Sequence, residues 1–161
     1  MSKIIMAAVL CMAVFILPAQ SMEFGTRDEA VAMAKRVQQK FKEDSEIATF
    51  RAITERAPGF REHDLYAFVY DMNGNVVAHG ANSALVGQNR AGLQDQNGKY
   101  LVSEFIKVAQ ESGGGWVDYC WPNPVSVEDM SGYIERLGTH YLVGVAVFRK
   151  NPPVQQALRV D

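Results

Sequence analysis

Residues 65–71 read LYAFVYD, break at Asn73-Gly74, and resume as NVVAH over residues 75–79. β-Branched and aromatic residues on both sides of an Asn-Gly pair specify a β-hairpin, which commits the chain to an antiparallel sheet. Two registers are compatible with this turn. With a strict two-residue loop, Phe68 lies opposite His79, on the face that also carries Tyr66 and Tyr70. If Gly74 is instead a bulge after a type I turn, the register slips by one and His79 points the other way.

The flanking sequence has helical rather than strand periodicity. Thr26-Arg27-Asp28-Glu29 forms a capping box, in which a hydroxyl and a carboxylate three residues apart satisfy free amides. Ala30, Ala34, Val37 and Phe41 follow at helical spacing, predicting a helix over 27–43. A second amphipathic piece over 46–55 carries Ile47, Phe50 and Ile53 and ends before Pro58-Gly59. Turn-forming residues fill 80–99. A helix over 100–112 presents Leu101, Phe105, Val108 and Ala109 on one face and is closed by Gly113. Strands follow at about 115–121, 131–137 and 141–148, the last two joined at Gly138-Thr139. This order predicts an α+β domain with an antiparallel sheet of about five strands and a crossing helix. The long N-terminal helix covers one face, leaving the other for a pocket or solvent.

Lys3 precedes an apolar run from Ile4 to Leu17, then Pro18 and Ala19-Gln20-Ser21. The run is roughly 14 residues, short of the ~20 needed to span a bilayer. It has the form of a secretory signal cleaved after Ser21, with an uncleaved anchor as the alternative. Residues 1–21 are therefore expected to be the signal, 22–150 one exported domain and 151–161 a tail. Export removes Cys11 and leaves Cys120 without an intramolecular partner, as a half-buried strand thiol. Sixteen basic and eighteen acidic side chains give a net charge of −2. No basic run interrupts this balance, which argues against nucleic acid and anionic membrane surfaces as partners.

Residues 113–124, GGGWVDYCWPNP, hold both tryptophans and one of the six tyrosines. Alternation places Trp116, Asp118 and Cys120 on one face and Val117, Tyr119 and Trp121 on the other. Tyr119 and Trp121 have apolar bodies with a hydroxyl and an indole N–H at their tips. Such rings suit a small-molecule pocket and equally suit a core whose polar tips meet backbone or water. Catalytic chemistry has little support. His63, His79 and His140 form no metal-spaced pair, and neither Ser83 nor Ser131 sits in a nucleophile elbow. Gly113–Gly115 leave a helix rather than enter one, so they do not cradle a phosphate. Glu62-His63-Asp64 has the character of a solvated turn. No enzyme, cofactor or metal is expected.

Three segments, DLYAFVYDMNGNVVAHGANSALVGQN, GGGWVDYCWPNP and GYIERLGTHYLVGVAVF, in that order, resemble successive blocks of the single Cache domain, type 2. The resemblance covers about Thr26–Phe148. Members are PAS-like extracytoplasmic sensor domains of bacterial chemoreceptors and kinases, and also free-standing secreted proteins. The resemblance implies a PAS-like sheet that binds a small molecule without reaction, often a short carboxylate such as pyruvate, lactate, acetate or propionate. Tyr66, Phe68, Trp116, Tyr119, Trp121 and Tyr133 would then build the walls, with 80–99 as a lid. The pattern His79-Gly80-Ala81-Asn82 matches the family's histidine, which suits contact with a carboxylate. A free-standing form would pass its ligand state to a membrane receptor, kinase or transporter. Two departures stand out. Met130 occupies the place where many relatives carry a lysine, and Ser83 replaces the proline usual after the loop asparagine. The ligand is then less anionic, or Arg61, Arg90 or Arg136 supplies the charge.

Overall fold

The computed structural model describes residues 24–122 and 127–149. The expected signal segment, its cleavage at Ser21, the 151–161 tail and Pro124 lie outside the described residues.

Helix α1 spans Arg27–Glu43, the bounds the periodicity predicts. Its capping box is complete: Thr26 Oγ1 accepts the Glu29 N–H at 3.2 Å, and Glu29 Oε2 accepts the Thr26 N–H at 2.8 Å. The bond from the Thr26 amide is the main reason that the Glu29 carboxyl lies below its ordinary pKa. Helix α2, Glu46–Thr54, begins at the Ser45 N-cap. Phe41, Phe50 and Tyr141 form a ring cluster that joins the two helices to the last strand, and the Tyr141 hydroxyl donates to Glu46 Oε2 at 2.9 Å.

Six strands follow, one more than expected: β1 (Arg61–Glu62), β2 (Leu65–Asp71), β3 (Val76–His79), β4 (Gly114–Pro122), β5 (Val127–Leu137) and β6 (Tyr141–Phe148), with helix α3 at Leu101–Glu111 between β3 and β4. The added strand is the two-residue β1, too short to leave a periodic signal. β5 also starts four residues before its expected 131, because it pairs with β4 along the whole strand, from Pro122↔Val127 to Gly114↔Glu135. All pairings are antiparallel, in the order β1-β2-β6-β5-β4, with β3 alongside β1 on the outer edge of β2.

Period-two alternation gives β2 an aliphatic and an aromatic side, and β6 continues the aliphatic one. Leu65, Ala67 and Val69 of β2 and Val143, Val145 and Val147 of β6 turn toward α1, where they meet Ala30, Met33, Ala34 and Val37. Burying each of the larger of these side chains contributes about 1.5–3 kcal/mol. Phe68, Tyr70, Val117, Tyr119, Met130, Ile134 and Leu142 turn the other way, against Leu101, Val102 and Phe105 of α3. The expected layering, with α1 over one face and α3 crossing the other, is the observed one.

Candidate functional site

The hairpin between β2 and β3 contains both of the features that the sequence offered as alternatives. Gly74 has φ +84° and its N–H reaches Asp71 O at 3.1 Å, while Asp71 N–H bonds Asn75 O, so the turn carries the glycine bulge and slips the register. Tyr70 therefore pairs with Val76. One residue later β3 bulges again at Val77, so that Val69 pairs with Ala78 and Phe68 with His79. Two single-residue slips cancel, and His79 returns to the Phe68 face.

His79 is 6% exposed. Its ring lies 5.1 Å from Tyr66 and 6.2 Å from Phe68. Nδ1 accepts the backbone N–H groups of Ala81 at 3.2 Å and Asn82 at 3.0 Å, at the start of the loop that follows β3. An imidazole accepting at Nδ1 carries its proton on Nε2. Burial lowers its pKa to about 4, so the ring is neutral at physiological pH and presents a single N–H donor at Nε2.

From His79 a row of rings crosses the sheet. Phe68 stacks on Phe105 of α3 at 5.9 Å, Phe105 meets Tyr119 edge-on at 5.6 Å, and Tyr119 meets Trp121 at 6.3 Å. Two glycines make space beneath it. A Cβ at Gly144 would lie 2.2 Å from Phe68 Cζ, and one at Gly132 would lie 3.3 Å from Tyr119 Cε1. Tyr66 and Trp121, at the two ends, are half-buried. The structure thus brings together Tyr66, Phe68, His79, Tyr119 and Trp121.

Trp116 and Tyr133 are not part of this row. They pair across β4 and β5 and touch at 5.3 Å on the α1 side, where the Arg27 guanidinium lies 3.8 Å over the indole. Trp116 and Tyr119 are three residues apart on one strand, so a period of two sends them to opposite faces. A groove of about 290 Å³ runs past Trp116 along the β4 edge, away from the ring row. Phe105 and Tyr70 are the additions. Sequence alone places Phe105 on the apolar face of α3 and Tyr70 beside Phe68, but only the helix crossing shows that Phe105 bridges Phe68 and Tyr119.

Met130 is buried directly opposite Tyr119, on the ring face where the expected lysine would have stood. Of the three arginines weighed as replacements, Arg136 donates to Gly138 O and Thr139 O in the β5–β6 turn, remote from His79. Arg61 is exposed on β1, opposite Tyr66. Arg90 is half-buried in the 80–99 loop. Burial pushes the Tyr70 phenol up to about 12, with Tyr66 adding to the rise and the charge of Arg90 opposing it. Of the three, Arg90 is thus the one whose charge reaches Tyr70.

The 80–99 loop is tied at both sides of the sheet. Gly87 N–H bonds Val76 O, Val76 N–H bonds Gln88 O, and Arg90 N–H bonds Gly74 O, all within 2.8–2.9 Å. At the other side Asp95 Oδ1 accepts the N–H groups of Asn97 and Lys99, and Lys99 Nζ bonds Asp118 O of β4 at 2.8 Å. Burial works against the Asp95 charge, but the amides of Lys99, Asn97 and Cys120 outweigh it and hold the carboxyl below its ordinary pKa. Cys120 is half-buried, with Sγ 3.4 Å from Asp129 Oδ1. Among the described residues, no cluster of three His, Cys, Asp or Glu side chains is arranged to hold a metal. No described helix is long and apolar enough to cross a membrane.

Proteins that this chain resembles include sensors. The sensor histidine kinase MctS of Rhizobium johnstonii is 33% identical over 97 residues, 58% of this chain and 21% of the kinase. The methyl-accepting chemotaxis protein McpP of Pseudomonas putida is 29% identical over 70 residues, 44% of this chain and 13% of the receptor. The chain spans about a fifth and an eighth of the length of these two relatives. A solved periplasmic sensor domain of a chemotaxis protein matches with a TM-score of 0.59 and 27% identity, covering 76% of this chain and 90% of that one. A Cache chemosensory domain solved for carboxylic acid recognition shares the fold, with the same TM-score at 19% identity, 76% of this chain and 88% of its own. The model of the single Cache domain 2 family matches residues 27–136, from the first residue of α1 to the penultimate residue of β5, and the chain belongs to that family of extracytoplasmic sensor domains.

Proposed function

We propose that the chain is an exported, free-standing binding domain that takes a short organic acid on the ring face of its sheet, beside His79, without reacting with it. It passes its ligand state to a membrane receptor, kinase or transporter. The observation that carries this reading is the state of His79. Its Nδ1 is committed to two loop amides, so its proton stands on Nε2 as a fixed donor among apolar rings. A single oriented donor in an aromatic setting is how a small-molecule site fixes the polar end of its ligand. The same bonds join the donor to the loop, so a ligand held at Nε2 also acts on the segment that closes over it.

Neutral donors set the character of the ligand. With Met130 in place of a lysine, the site offers hydrogen bonds and the more distant charge of Arg90. That combination suits a small monoanion better than a dicarboxylate. Thermal-shift and calorimetric titration with acetate, propionate, lactate and pyruvate tests the proposal. A ligand at 100 times its Kd should add ~2.7 kcal/mol to stability, and His79→Ala should abolish the shift. If no acid stabilises the folded chain, the proposal is wrong. Burial of Met130 among the rings specifically favours one other reading, an interaction module with a vestigial pocket. That reading predicts partner binding that no small acid alters.

A further inference from the structure

Phe68 occupies a singular place in the ring row. It is 5% exposed, stacks within 23° of His79 and within 30° of Phe105, and neighbours Tyr66 and Tyr70 as well. Tyr119 and Trp121 lie farther along the row, beyond Phe105. The outer edge of the ring lies over Gly144 on the neighbouring strand, which leaves room for it by having no side chain: a Cβ there would meet Cζ at 2.2 Å and Cε2 at 2.3 Å. The space next to the imidazole is therefore filled by a side chain whose depth is set by a glycine.

We propose that Phe68, seated on Gly144, is the residue that limits ligand length at this site. On this proposal the carbon chain of an acid bonded to His79 Nε2 runs along the row of rings toward Phe105, and Phe68 is the ring that neighbours both residues. Short acids fit in front of the ring, and longer ones must displace it. The inference rests on the ring face being the ligand site and adds the length of acid that the face accepts. A methylene accommodated or refused by an apolar pocket changes affinity roughly 10–200-fold, so length preference is a sensitive readout.

The test is the ratio of hexanoate to acetate affinity, measured by calorimetry on the full chain. Phe68→Leu should raise that ratio by about tenfold or more, because the shorter side chain clears the path. Gly144→Ala should lower it, because the new methyl drives the ring outward, and it carries the test if Phe68→Leu fails to fold. Circular dichroism melts establish that each variant is folded. A change of all acids by one common factor would mark Phe68 as a purely structural ring and overturn the inference. So would a ratio that stays at the wild-type value in both variants while each still binds acetate. If neither wild type nor variants bind any acid, the ligand reading itself is wrong, and the length limit falls with it.

Discussion

The two faces of the sheet are built from the same strands yet from different materials. Toward α1, β2 and β6 present Val, Leu and Ala packed on Ala, Met and Val, while β4 and β5 add Trp116, Tyr133 and the buried Ser131, whose hydroxyl bonds Asp118. Toward α3 they present rings, a methionine and a histidine. Aliphatic packing fixes the distance between helix and sheet, while rings bring polar groups to an otherwise apolar face. On the proposed function, stability belongs to the α1 face and recognition to the α3 face, and substitutions can separate the two.

The largest effect is expected on the aliphatic side. Leu65 is fully buried beneath α1, and Leu65→Ala should cost about 4 kcal/mol in chemical denaturation. Acid affinity of the molecules that remain folded should not change. If affinity falls in proportion to stability, the two faces are one cooperative unit, and the division of labour is wrong.

The next effect concerns pH. Folded His79 titrates at about 4, below its ordinary value of 6.5. As pH falls below 6.5, the unfolded chain takes up a proton that the folded chain refuses. Stability should therefore decline between pH 6.5 and 4, by on the order of 3 kcal/mol, and level off below. His79→Asn sharpens the point. Its Oδ1 stands near the place of Nδ1 and can accept the Ala81 and Asn82 amides, but it neither titrates nor offers a donor at the Nε2 position. The variant should keep neutral-pH stability, lose the slope and lose the ligand. Urea melts across this pH range check the first two, and calorimetry the third.

A third substitution asks whether the ring face tolerates the charge it lacks. Met130→Lys places an ammonium beside Tyr119 without a fixed partner, which should cost about 2 kcal/mol in the unliganded protein. A bound carboxylate would supply the partner, so acid-induced stabilisation should be larger in the variant than in the wild type. Equal shifts in paired thermal melts with and without propionate would place the acid away from Met130.

Several features were open to reading from sequence because each is written in a few adjacent residues. The capping box at Thr26–Glu29, the α1 stripe, the Asn73-Gly74 turn and the alternation in β4 are of this kind. The hairpin register was not. Gly74 announces one bulge, but the compensating one at Val77 depends on how β3 packs between β2, α2 and the loop, and carries no local signature. The site was legible in its residue types and less so in its membership. Alternation already put Trp116 opposite to Tyr119, and the family likeness drew both into one wall. Phe105 belongs to the ring row through a contact of long sequence separation, which no periodicity can show.

The smallest effects test whether the loop belongs with the recognition face. Asp71-Met72-Asn73-Gly74 and Asp95-Gln96-Asn97-Gly98 are the same turn twice. In each, the aspartate Oδ1 accepts the N–H groups two and four residues on, and the glycine has positive φ. Removing either carboxylate should cost about 1 kcal/mol. Their surroundings differ: Asp71 closes the hairpin tip, whereas Asp95 shapes the turn whose Asn97 and Lys99 side chains reach the β4 edge. Asp95→Ala should therefore speed acid dissociation and increase amide exchange over 94–99, while Asp71→Ala at equal cost leaves dissociation unchanged. Stopped-flow release with hydrogen exchange separates them. Matching dissociation rates for the two variants would mean that the loop follows the stability of the scaffold and does not gate the ring face.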